Sequence, residues 1–112
     1  MVKGYIPERG DIVWVSFNPQ AGKEQAGHRP AIVLSHKEYN KRIGLAIMCP
    51  ITSQQKGYPF EVEIMLSEIK GVILADYVKN LDWKVRNVSF IEKAPEHIIE
   101  EVTALLNAII KK

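Results

Sequence analysis

The sequence predicts a mainly β domain with one C-terminal helix, a small curled antiparallel sheet or SH3-like barrel closed by that helix. Three observations point there. Short runs rich in β-branched and aromatic residues recur up to about residue 90, separated by Gly- and Pro-bearing turns. From residue 95 the apolar period changes, with Ile98, Ile99, Val102, Leu105, Leu106, Ile109 and Ile110 at helical spacing. At 112 residues the chain suits one domain, 1–112, with the barrel over about 5–91 and the helix over about 95–111.

Taken in order, Pro7, Glu8, Arg9 and Gly10 signal a turn, and residues 11–17 (DIVWVSF) follow as a strand. Both faces of that strand are largely apolar, so at least one packs, with Trp14 read as core. Residues 31–35 make a second strand, and the polar stretch 36–44, ending in Gly44, a short helical turn or hairpin excursion. Residues 45–53 are a third strand, in which Pro50 implies an edge position or a bulge, because it cannot donate to a ladder. After a loop over 54–59, residues 60–64 alternate strictly. Phe60, Val62 and Ile64 fall on one face, read as core, and Glu61 and Glu63 on the other, where two carboxylates are most simply solvated. Residues 71–75 form a further buried strand and 84–90 a last one. In the helix, Pro95 suits the first turn; early Glu96, Glu100 and Glu101 and terminal Lys111 and Lys112 match the helix dipole.

Composition excludes several classes. No apolar run approaches the roughly 20 residues that cross a bilayer, and residues 1–11 lack the apolar core of an export signal. No membrane association and a cytoplasmic location are the expectation. Cys49 is the one cysteine and lies in an apolar run, which suits a buried structural thiol. The net charge of +2 divides into +3 over residues 1–90 and −1 over 91–112. That permits an anionic partner on the first part of the chain and makes the helix a poor phosphate reader. His28, His36 and His97 have no Cys, Asp or Glu at ligand spacing, so neither a metal nor another cofactor is expected. Gly22 and Gly27 do not fit a phosphate-binding glycine loop, and no G-x-S-x-G is present.

Chemistry gathers in residues 18–35, NPQAGKEQAGHRPAIVLS, where a loop bearing Lys23, Glu24, His28 and Arg29 feeds an apolar strand. With Thr52 and Ser53 at the end of a later strand, these residues form a set that needs no cofactor. RNA carries its own nucleophile, the 2′-hydroxyl, beside each phosphodiester. Glu24 suits the base, Arg29 a bidentate phosphate clamp, and Thr52 a hydrogen bond to the same phosphate. His28 can exchange protons near neutral pH and, with Ser53, is a candidate for support. Residue types alone nevertheless favour a plainer reading, in which Glu24 and Arg29 are an exposed ion pair and His28 is solvated. Aromatic and basic residues also interleave, as stacking platforms and cations do where single-stranded nucleic acid is held. RNA contacts are accordingly expected at Phe17, Asn18, Gln25, Lys56, Tyr58, Lys79, Trp83 and Arg86.

Four stretches carry a resemblance: RGDIVWVSFNP (9–19), GKEQAGHRPAIVLS (22–35), CPITSQQKGYPFEV (49–62) and GVILADYVKNLDWKVR (71–86). Through them the chain resembles the MazF/PemK family of toxin endoribonucleases, the mRNA interferases. The resemblance implies a barrel of the CcdB/Kid/MazF type and a homodimer. It also implies metal-independent, sequence-specific cleavage of single-stranded mRNA to 2′,3′-cyclic phosphate and 5′-hydroxyl ends. A cognate MazE-like antitoxin would neutralise that activity. The family's catalytic glutamate, arginine and threonine fall on Glu24, Arg29 and Thr52, and residues 66–71 and 77–87 are the stretches expected to tune the target sequence. The alternative is a CcdB-like toxin of the same fold that binds and poisons DNA gyrase without catalysis. Such proteins lack a working ribonuclease site, whereas the set here is complete.

Overall fold

A computed structural model describes residues 4–16 and 28–111. Its elements are β1 (Asp11–Ser16), β2 (His28–Val33), α1 (Lys37–Ile43), β3 (Leu45–Thr52), β4 (Glu61–Met65), β5 (Lys70–Leu74), a 3-10 turn (Ala75–Tyr77), β6 (Lys79–Asp82), β7 (Ser89–Lys93) and α2 (Glu96–Lys111). All strand pairings are antiparallel, in the order β4-β5-β3-β2-β1-β7, with β6 beside β3. The mainly β fold with a C-terminal helix is the one the sequence predicts. Among the described residues, no helix is long and apolar enough to cross a membrane.

The alternation of side chains along each strand serves two cores, because both faces of the sheet are covered. On one face Ile12, Ile32, Cys49, Ile51, Val62, Ile64 and Ile73 pack under Ile98, Ile99 and Val102 of α2. On the other, Val13, Val15, Ala31, Val33, Ala46 and Met48 pack with Leu81 and Trp83. Cys49 is fully buried, and that burial, helped by the charge of Asp76, pushes its thiol up to about 12. A thiol held neutral is an inert packing group.

Several details differ from the sequence reading. Trp14 is not core: it is 37% exposed, and its ring stacks on His28 with centroids 5.1 Å apart. Phe60 is only half-buried. Pro50 is not on an edge strand, and the β2–β3 register reaches it without a bulge. It sits buried in β3, opposite Ala31, where β3 changes neighbours between the Met48–Lys79 and Ile51–Ile73 pairs. Its missing N–H therefore falls in a gap of the ladder. The last strand runs over Ser89–Lys93 instead of 84–90, and the unforeseen β6 precedes it. Between the two, the Asp82 carboxylate accepts the N–H groups of Lys84 and Val85, both at 3.1 Å, and Asn87 takes a left-handed φ of 53°. Side-chain capture of the backbone thus makes a turn from a run of strand-forming composition.

Buried Asn40 of α1 joins four segments. Its Nδ2 donates to the carbonyls of Pro7 (2.8 Å) and Ser35 (3.1 Å), its Oδ1 accepts from Ser35 Oγ, and its own carbonyl accepts from Trp83 Nε1 at 2.9 Å. Asn40→Ala leaves the Pro7 carbonyl and the Ser35 hydroxyl proton without their partners, while Ser35 Oγ keeps the Ile47 N–H at 2.9 Å. We expect a loss of about 2–3 kcal/mol in denaturant unfolding; an unchanged midpoint would show that water replaces the side chain freely. At the start of α2, Nη1 and Nη2 of Arg9 donate to the two oxygens of Glu96, at 3.3 and 3.1 Å. Those hydrogen bonds hold the Glu96 carboxyl below its ordinary range and tie the helix to the turn before β1.

Candidate functional site

Arg29 is the second residue of β2, paired with Val15 of β1, so strands on a packed sheet set where its side chain starts. The β2–β3 register places Ala31 opposite Pro50. Two residues further along each strand stand Arg29 and Thr52, on the face shared with Val15 and Ala31. They come together in a cleft of about 230 Å3, lined by Arg29, Thr52, Gln54, Lys56, Tyr58, Glu61, Leu74 and Tyr77. Larger clefts lie beside Pro95 and His97 (about 350 Å3) and beside Arg9 and His36 (about 460 Å3), and neither contains Arg29 or Thr52.

Chemical capacity follows from the donors. Arg29 is exposed and presents a planar, positively charged fork that matches phosphate oxygens in pairs. Thr52 Oγ1 accepts the Gln54 N–H at 3.2 Å, which leaves its own proton free to donate. Lys56 adds a second cation, and Tyr58 and Tyr77, each 52% exposed, flank them with aromatic faces. Two cations, a hydroxyl donor and two rings in one concavity suit a strand of nucleic acid, with the cations on phosphate and the rings on bases.

Gly71 positions Thr52. With φ of +152°, it lies beneath the Thr52 carbonyl so closely that a Cβ there would overlap the carbonyl oxygen. Only a residue without a side chain lets β5 approach β3 at the edge of the cleft.

The structure separates the other candidates. Glu24, Phe17, Asn18 and Gln25 lie outside the described residues. His28 does not join the cleft: as the neighbour of Arg29 along a strand it points to the opposite face, where it stacks on Trp14. Ser53 and Lys79 are exposed but do not line the cleft. Trp83 corrects the sequence reading most clearly. The residue is 8% exposed, its Nε1 is committed to the Asn40 carbonyl, and Lys84 Nζ lies 5.6 Å from the ring centroid, so no face is open for a base. Arg86 Nη1 donates to the Ser16 carbonyl at 2.9 Å and braces the end of β1.

Four lining residues, Gln54, Glu61, Leu74 and Tyr77, were not among the expected contacts, although Tyr77 opens the stretch 77–87 expected to tune the target sequence. Tyr77 follows buried Ala75 in a 3-10 turn that delivers its ring to the cleft. Glu61 is not simply solvated. It is half-buried, and its carboxylate accepts the backbone N–H groups of Lys56 and Gly57, both at 3.0 Å. A carboxylate opening a strand just after a Lys-Gly turn was the available signal.

Residues 8–110 match the family described as "PemK-like, MazF-like toxin of type II toxin-antitoxin system". The chain is 44% identical over 110 residues to the endoribonuclease toxin MazF of Escherichia coli, across 98% of this chain and 99% of that protein. In structure it resembles crystalline MazF from Deinococcus radiodurans, with a TM-score of 0.87 and 44% identity, over 96% of this chain and 99% of that one. It is also similar to a MazE–MazF complex from the same organism, at a TM-score of 0.87 and 42% identity over 96% of this chain and 98% of the other. With a match that spans nearly its whole length and a half-barrel that superposes on solved members, the chain belongs to the PemK-like, MazF-like family of type II toxin–antitoxin toxins.

Proposed function

We propose that the whole chain works as one toxin domain, a sequence-specific endoribonuclease that cleaves single-stranded mRNA in the cytoplasm without a metal. The observation that carries this reading is the cleft in which Arg29 and Thr52 meet beside Lys56, Tyr58 and Tyr77. Relatives named endoribonucleases support it.

In the proposed reaction Glu24 takes the proton of the 2′-hydroxyl, and the freed oxygen attacks the adjacent phosphorus. As that bond forms, the bond from phosphorus to the 5′-oxygen breaks. The leaving oxygen collects a proton; we assign its donation to Arg29, which solvent then reprotonates as Glu24 gives up the proton it took. The products are a 2′,3′-cyclic phosphate and a 5′-hydroxyl. Arg29 holds two nonbridging oxygens as their charge grows, and Thr52 donates a third hydrogen bond; preset donors of this kind act where charge develops. The nucleophile is already part of the substrate, so the reaction needs no metal-bound water. We further propose a homodimer and inhibition by a MazE-like antitoxin, in keeping with family membership and with the solved MazE–MazF complexes. The complete Glu24, Arg29 and Thr52 set favours catalysis over gyrase binding.

Purified protein incubated in EDTA with a long single-stranded RNA tests the proposal, with the ends mapped afterwards. Discrete cuts at a shared short sequence, with 5′-hydroxyl ends that vanish in Glu24→Ala while RNA binding persists, are the expected result. Intact RNA with folded, antitoxin-free protein would overturn the ribonuclease reading and favour gyrase binding.

A further inference from the structure

Glu61 poses an electrostatic problem. A carboxylate lining a cleft with Arg29 and Lys56 should weaken phosphate binding there. Its placement shows what it does instead. Glu61 opens β4, where its backbone is held opposite Leu74 of β5. From that fixed point Oε2 accepts the Lys56 N–H and Oε1 the Gly57 N–H, both at 3.0 Å, while the Glu61 N–H donates to the Tyr58 carbonyl at 3.3 Å. Gly57 takes a left-handed φ of +81°, which turns two successive N–H groups to one side as an anion-binding nest. The carboxylate in that nest belongs to the protein itself.

We infer that Glu61 is a positioning residue for RNA: by gripping the turn at Lys56 and Gly57 it presents Lys56 and Tyr58 to the cleft that holds Arg29 and Thr52. This rests on the ribonuclease reading. The turn has little else to order it, since residues 53–59 are all exposed. Without the grip, Lys56 and Tyr58 must be ordered by the incoming RNA, and each immobilised side chain then subtracts from binding. Arg29 and Thr52 stand on strands and keep their places. The consequence is a selective one, in KM and not in kcat. Global stability should hardly change, because both carboxylate contacts are solvent-exposed.

The experiment uses a synthetic single-stranded RNA containing the cut sequence mapped on the long transcript. Glu61→Ala is expected to raise KM about tenfold with kcat within about threefold, the size of ordering two side chains. Glu61→Gln, which offers one carbonyl oxygen where two acceptors are used, should fall between Glu61→Ala and the unaltered protein. Gly57→Ala loosens the same turn from the other side and should raise KM as well. In the free protein, the Lys56 and Gly57 amides should exchange at least about tenfold faster in Glu61→Ala, a readout that needs no RNA. A KM that stays constant or falls would overturn the proposal, the fall marking Glu61 as a repelling charge and nothing more. Unchanged amide exchange with intact cleavage would also overturn it and leave the ribonuclease reading standing. Unaltered protein that cuts no RNA overturns that reading, and the RNA role of Glu61 with it.

Discussion

Arg29→Lys is expected to lower kcat about a hundredfold although it preserves the charge. Loss of one preset donor to a developing oxyanion is worth about 3 kcal/mol, and lysine retains only the part of that value that comes from charge alone. Arginine offers a rigid plane of N–H groups whose spacing fits two phosphate oxygens, whereas lysine offers one ammonium on a flexible stem. The structure sharpens this contrast. Arg29 leaves a strand paired with β1 beside the fixed Thr52 hydroxyl, so the fork is aimed by the sheet and a lysine would have to be aimed by the substrate. Arg29→Ala should be more severe, and it should also reduce the salt dependence of RNA binding by about one phosphate's worth, which Arg29→Lys should leave unchanged. Steady-state rates and a salt titration on the three proteins check both. Near-normal turnover by Arg29→Lys would remove the bidentate clamp.

Legibility in the sequence varied with how locally each feature is determined. The strand at Glu61–Met65 and α2 were readable because their apolar periods state both the element and its buried face, whereas the runs opening at Asp11 and Leu45 stated the element alone. Arg29 and Thr52 were identified by type and motif, yet their meeting depends on the β2–β3 register, which no single segment encodes. Where the reading failed, a competing partner had intervened. Val85 and Val88 look like strand residues, but Asp82 captures the backbone before the ladder can form. Trp14 and Trp83 exchanged expected roles. The first lies outside both cores against His28, and the second sends its indole N–H to a carbonyl inside one. A tryptophan fits equally well in a core and at a surface, and the partner of its N–H decides. Glu61 was misjudged because alternation reports which way a side chain points, not what it finds there.

Gly71→Ala is expected to cost about 2–4 kcal/mol of stability, from overpacking and a φ hostile to a side chain, and to lower kcat at least about tenfold in the protein that remains folded. The added methyl would be directed at the Thr52 carbonyl oxygen, which is backbone and cannot swing aside. Either β5 withdraws from β3, breaking the Thr52–Val72 pairing, or Thr52 moves and takes its hydroxyl away from Arg29. The second outcome separates a placed hydroxyl from one that is merely present. Thr52→Val supplies the comparison, since it keeps the shape and strand propensity of the residue and deletes the donor. If position is what counts, Gly71→Ala and Thr52→Val should lose similar amounts of kcat, while only Gly71→Ala unfolds much earlier in denaturant. A Gly71→Ala protein that is less stable yet fully active would mean that β5 yields and that the Thr52 hydroxyl stays in place without it. A Thr52→Val protein that cuts normally would mean that Arg29 stabilises the phosphate without help from the hydroxyl.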